Sequence, residues 1–201
     1  MPKFGPAGNA ESFAKMGYKN SLDVPDYIVE MGLDCYEYQC GRGVNIGEEK
    51  ARLLGEKAKE KGVCLSLHAP YYISMSSVEE EKRLNSVNYI LESAKAVNAM
   101  GGSRIVVHTG SCGKISRENA LELAVDTMHK AVAALDEAGL SNIHICPETM
   151  GKVNQLGTLE EVLEMCLVDE RMLPCIDFGH LNARTQGGLK EKKEFETVIQ
   201  S

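Results

Sequence analysis

No Cys-x-x-Cys pair occurs among the seven cysteines, and their number is odd. A disulfide frame or a cysteine-rich zinc site is therefore not expected, and the thiols read as reduced residues of a cytoplasmic protein. No stretch approaches ~18 uninterrupted apolar residues, which excludes a membrane-spanning helix. The opening Met1-Pro2-Lys3-Phe4-Gly5 has neither the charged nor the apolar region of a secretory leader. An excess of positive charge is also missing: 29 Asp plus Glu stand against 22 Lys plus Arg, a net charge of −7. Binding to a polyanion would then need a local basic rim or bound metal ions. What the chain does have is 43% hydrophobic and 25% charged residues, the balance of a folded globular domain. One domain over residues 1–201 is expected.

Short β-rich runs alternate with long helical patterns. The runs lie at Cys35–Tyr38, Val63–His68, Arg104–His108, Ile143–Glu148 and Cys175–Asp177, with a weaker one at Lys3–Gly5. Helical periodicity is strongest over Val78–Met100 (Leu84, Val87, Leu91, Ala94, Val97) and Arg117–Ala138 (Leu121, Ala124, Met128, Ala131, Val132, Leu135). Shorter helices are expected near Glu11–Met16, Val24–Met31, Glu48–Lys61 and Leu159–Cys166. Ser77-x-x-Glu80 and Thr158-x-x-Glu161 fit capping boxes, and Gly32, Gly62, Gly101 and Gly139 fit helix stops. Residues 182–189 read as a polar, glycine-rich loop, and Lys190–Ser201 as the start of another helix. With no hairpin signal between them, the strands are parallel and joined by helical crossovers. A doubly wound sheet would usually carry G-x-G-x-x-G after its first strand, and none is present. Ligand-type residues instead end several successive strands, as in a (β/α)₈ barrel. About six βα units are countable, so the expectation is an α/β TIM barrel cut short after roughly six units.

Alternation along each strand gives one inward row: Cys64, Ser66 and His68; Arg104, Val106 and His108; His144, Cys146 and Glu148; Cys175 and Asp177. His68, His108, Glu148 and Asp177 thus converge at the barrel mouth, with His180 three residues further on. Imidazoles and carboxylates without thiolates suit an open, catalytic zinc, manganese or iron site. His144, two steps deeper than Glu148, is expected to pack in the barrel interior, and His129 to lie on a helix surface. Arg42, Lys114, Lys152 and Arg184 fall in segments after strands and together would form a basic rim.

The segments Leu67-His68-Ala69-Pro70-Tyr71-Tyr72-Ile73, Val107-His108-Thr109-Gly110-Ser111, Cys146-Pro147-Glu148-Thr149-Met150-Gly151 and Cys175-Ile176-Asp177-Phe178-Gly179-His180 resemble, in order and spacing, the motifs of AP endonuclease family 2, the endonuclease IV family. The resemblance spans essentially the whole chain. It implies a xylose isomerase-like TIM barrel that hydrolyses the phosphodiester 5′ to abasic sites in double-stranded DNA, as a step of base-excision repair. It also implies up to three zinc ions. His68, His108 and Glu148 match the first zinc's ligands, Glu148 bridges to a second that Asp177 also binds, and His180 matches a ligand of the third. Only the first set is complete within 201 residues. Glu148 is the catalytic candidate, and Tyr71 and Tyr72 occupy the place of the side chains that probe the duplex. No obligate protein partner is implied. An alternative on the same barrel is a divalent-metal sugar isomerase or epimerase, against which the pair His68 and His108 argues, since a single-metal isomerase site does not call for two imidazoles there. A metal-binding barrel without turnover is the third reading.

Overall fold

The computed structural model describes residues 1–201. Four parallel strands, β1 (Cys35–Gln39), β2 (Cys64–His68), β3 (Arg104–His108) and β4 (His144–Glu148), lie side by side in chain order. The helices are α1 (Glu11–Lys15), α2 (Val24–Glu30), α3 (Glu48–Lys61), α4 (Glu80–Ala99), α5 (Arg117–Glu137), α6 (Leu159–Cys166), α7 (Phe178–Arg184) and α8 (Lys192–Gln200). No helix is long and apolar enough to cross a membrane. The core sits between the sheet and its helices. Leu67, Ile105, Val107 and Ile145 point outward from the strands against Ile90, Ala94, Val97, Ala124, Met128 and Ala131, all at 1% exposure or less. The opposite row therefore faces the barrel interior and ends in His68, His108 and Glu148, as alternation requires.

Two expected strands shrink to single bridges, and proline is the cause in both. On the β4 side, Leu173 N donates to Ile145 O, Cys175 N to Pro147 O, and Thr149 N to Cys175 O. The missing rung would come from the amide of Pro147, which has no hydrogen, so Cys175 makes only an isolated parallel bridge with Glu148. On the β1 side, Glu37 N donates to Pro6 O and Gly8 N to Glu37 O, and Pro6 cannot supply the rung below. The bridge there is Ala7 with Glu37, displaced from the expected Lys3–Gly5.

Helix stops fall where glycine allows a left-handed residue: Gly32, Gly62, Gly101 and Gly139 have φ between 68 and 72°. The Thr158/Glu161 capping box forms, but the Ser77/Glu80 one does not. Glu79 is the N-cap of α4 without a side-chain bond, and Ser77 Oγ accepts from Glu79 N instead. Residues 178–184, expected as loop over 182–184, are the helix α7.

Gly55, inside α3, packs directly on the backbone at the end of α4. A Cβ there would lie 2.4 Å from the backbone oxygen of Met100 and 2.6 Å from its carbonyl carbon. Backbone cannot swing aside as a side chain can. Gly55→Ala is expected to lower stability by about 1–3 kcal/mol despite alanine's better helix propensity. A thermal melt followed by circular dichroism checks it, and an unchanged or raised midpoint would show that α3 and α4 can part freely.

Candidate metal centre

β2, β3 and β4 deliver three side chains to one point because each ends on the same face of the pleat. His68 Nε2 lies 3.4 Å and His108 Nε2 3.2 Å from the same oxygen, Oε2 of Glu148. Glu148 is 6% exposed and His68 9%. His68 Nδ1 sits 2.9 Å from Ala69 O. A carbonyl only accepts, so Nδ1 carries a proton and Nε2 is the nitrogen left to face the carboxylate oxygen, with a lone pair whenever the ring is neutral. No hydrogen bond reaches that oxygen. Lone pairs facing one another in a buried place lack a cation. Donors held at about 2.0–2.1 Å from a tetrahedral zinc stand about 3.3 Å apart, and these two contacts match that edge. The residues fit the metal.

In the metal-free protein a proton does part of this work. Burial pushes the Glu148 carboxyl up, but the two facing imidazoles outweigh it and hold the group down at about 2. Burial pulls the His68 imidazole down, yet Glu148 and the Ala69 carbonyl leave it above its ordinary value.

A second group shares Glu148. Glu148, Asp177 and His180 each place a ligand atom within 4.8 Å of the others, as do His68, His108 and Glu148. His180 Nδ1 is 3.7 Å from Glu148 Oε1 and 3.6 Å from Asp177 Oδ2. Local structure fixes both new members. Asp177 is the N-cap of α7, its Oδ1 accepting from His180 N at 2.7 Å, which leaves Oδ2 free. Thr149 ties the strand end to them, since its Oγ1 accepts from Asp177 N at 2.9 Å and its carbonyl takes His180 Nδ1–H at 2.9 Å. The five residues singled out in the sequence are thus brought together around one carboxylate.

They line a hollow of about 800 Å³ with Glu37, Gln39, Tyr71, Lys152 and Gln155. Tyr71, 58% exposed, stacks on His108 with ring centroids 6.0 Å apart and planes 21° apart. Tyr72 lies outside the hollow and packs edge-on against Tyr89 of α4, centroids 4.9 Å apart. Glu37 was missed in the sequence, where it sits between Tyr36 and Tyr38; alternation along β1 would have placed it inward. Burial raises its carboxyl, against the pull of His68 and of Gln39 Nε2, which donates to it at 2.9 Å. His144 is half-buried, with Nδ1 donating to Arg171 O at 2.8 Å, and His129 is exposed. Arg42, Lys114 and Lys152 are exposed. Arg184 does not join them on a free rim, because its guanidinium is bonded to backbone carbonyls of the chain itself.

An uncharacterised protein of Methanocaldococcus jannaschii is 30% identical over 197 residues, covering 98% of this chain and 68% of that protein. A probable endonuclease 4 of Acholeplasma laidlawii is 30% identical over 132 residues, 62% of this chain and 44% of its own length. The chain thus spans less than half of that endonuclease. Among solved structures, a 3-keto-D-glucoside 4-epimerase from E. coli is similar with a TM-score of 0.74 at 18% identity, over 98% of this chain and 74% of that one. Endonuclease IV from Thermus thermophilus is similar with a TM-score of 0.62 at 18% identity, over 92% and 72%. At such identities the two structures share the fold. The family model for AP endonuclease family 2, described as xylose isomerase-like TIM barrel, matches residues 25–200, and with motifs and parallel βα order in agreement the chain belongs to that family of barrels.

Proposed function

We propose that this protein is a zinc-dependent endonuclease that hydrolyses the phosphodiester 5′ to abasic sites in double-stranded DNA, a base-excision repair activity. The observation that carries the reading is the pair of imidazole Nε2 atoms at 3.2 and 3.4 Å from one unbonded, buried carboxylate oxygen. The relatives named as endonuclease 4 support it, and so do two ligand groups joined through Glu148. His68, His108 and Glu148 would hold one metal, and Glu148, Asp177 and His180 a second. Zinc so held supplies a Lewis acid for a phosphoryl oxygen and lowers the pKa of a bound water toward neutrality.

The chain's own residues do the rest. Glu148 is common to both groups and so would tie the two sites together. Tyr71, braced by His108 but exposed on its other side, offers an aromatic face where a missing base leaves a gap. An abasic nucleotide has no base to unstack, so drawing it into the hollow costs less than flipping a paired one. Exposed Lys152 enters the same hollow as a phosphate contact, and Arg42 and Lys114 lie in the neighbouring loops. They would supply the local positive charge that a net −7 lacks.

One set of observations favours a sugar epimerase instead. Glu37, Gln39 and Gln155 add a carboxylate and two amides to the hollow beside Tyr71, a lining suited to hydroxyl groups, and the epimerase fold is similar. A duplex with a single abasic site separates the two readings. Nicking that EDTA stops and Zn²⁺ restores is the expected result. Metal-loaded protein that leaves the duplex intact but exchanges the C3 proton of a ketohexose with solvent would overturn the nuclease in favour of the epimerase.

A further inference from the structure

α7 has only seven residues, too few to hold its own direction, yet it carries His180. Its other end carries Arg184, one turn on and on the same helix face. No carboxylate pairs with Arg184. Its Nη1 donates to the carbonyls of Met150 and Lys152 at 2.8 and 3.0 Å, and its Nη2 to those of Val153 and Gln155 at 3.3 and 2.9 Å. Arg117, at the start of α5, takes two of the same oxygens, Val153 O and Gln155 O, from its own Nη2. Arg117 is itself anchored on Glu161 at 2.5 Å. Four carbonyls turned onto two guanidiniums fix the course of the whole segment between β4 and α6.

That segment begins at the site. Thr149 O receives His180 Nδ1–H, and at Gly151 a Cβ would stand only 3.3 Å from His180 Cδ2. The imidazole is therefore pressed between a carbonyl and a backbone whose positions depend on the arginine four residues further along its own helix. We infer that Arg184 is a positioning residue for the Asp177 and His180 half of the metal centre: by clamping residues 150–155 to α7 it sets the ring orientation and tautomer of His180. The inference rests on the metal reading above and adds to it a residue that touches neither metal nor substrate. A planar fork with five donors suits four carbonyls, whereas an ammonium on a single stem cannot span them.

The test is a Co²⁺ titration of metal-stripped protein, followed by visible absorption, on wild type, His180→Ala, Arg184→Met, Arg184→Lys and the double variant His180→Ala/Arg184→Met. Wild type is expected to bind two ions. Arg184→Met should weaken the second by about 10–100-fold, the usual effect of losing an outer support, while the first stays within about twofold. Arg184→Lys should fall between, and the double variant should lose no more than His180→Ala alone. Long-range ¹⁵N spectra of the metal-free proteins give a second readout. The His180 Nδ1–H tautomer should dominate in wild type and become mixed in Arg184→Met. Two ions at wild-type affinity in Arg184→Met, or equal weakening of both ions, would overturn the positioning role, the latter by marking a general loosening. Should Arg184→Met fail to fold, Arg184→Lys is judged by the same two criteria. Wild type that takes up no cobalt, with the His180 tautomer still responding to Arg184, would sink the metal reading while the positional coupling stands.

Discussion

Glu148→Gln is expected to abolish metal binding and yet to stabilise the metal-free protein at alkaline pH relative to its effect in mild acid. The substitution keeps the shape of the side chain and removes its charge. Losing an outer-shell partner costs about 10–100-fold in metal affinity, and this carboxylate belongs to both ligand groups, so a loss on the order of 1000-fold or more is expected, together with any nicking. The stability effect depends on which group holds the proton. Glu148 has its carboxyl lowered to about 2, so its contribution is present above the unfolded value near 4.5 and lost as pH falls toward 2. His68 is raised, so its contribution is complete below about 6.5 and lost as pH rises through the folded value. Between those limits a buried carboxylate faces an imidazolium, and removing one partner of such a pair costs about 3 kcal/mol. That is roughly 6–12 °C in melting temperature for a chain of this size. As pH rises past the raised folded value of His68 that ring loses its proton, the wild type turns its Nε2 lone pair against the carboxylate, and a glutamine amide can donate to the same Nε2 instead. Melts at pH 5.5 and pH 8 should therefore show a large deficit that closes or reverses. A deficit that is the same at both would mean that the pair is not the source of the stability.

The strands were legible because each carries an apolar row that helices cover, as in Leu65 and Leu67 or Ile105 and Val107, and because glycines end the helices in a left-handed residue. The site was legible for the same reason: alternation assigns His68, His108 and Glu148 to one face whatever the tertiary detail. Sequence reading failed where a residue did something other than its type suggests. Pro147 sits inside an apolar run and Pro6 directly after one, and each withholds the one amide that would extend the ladder. Asp177 looks like a strand end and acts as a helix cap, so α7 begins directly after the expected strand and continues into a stretch whose glycines and polar residues read as loop. Tyr71 and Tyr72 are chemically alike and adjacent, and only the turn decides that one lies over His108 and the other against Tyr89. Arg184 counted as a surface charge because sequence carries no sign of which carbonyls will converge on it.

Metal affinity should rise with pH at one decade per unit until His68 has lost its proton, then level off as far as this group is concerned. His68 Nε2 has to be unprotonated to act as a ligand, and the metal-free protein holds that proton more tightly than a free imidazole because Glu148 and the Ala69 carbonyl favour the charged ring. The break in the curve therefore lies above about 6.5. Glu148 adds no slope over this range, since it is already ionised down to about 2. The same linkage predicts that zinc uptake near pH 6 releases about one proton from this residue, so the calorimetric enthalpy should vary with the ionisation enthalpy of the buffer. Replacing His68 by alanine should remove this residue's share of the slope together with the first site, leaving the group around Asp177 and His180. An affinity that does not change between pH 5.5 and pH 8 would exclude His68 Nε2 as a donor, because the metal would then be displacing nothing there.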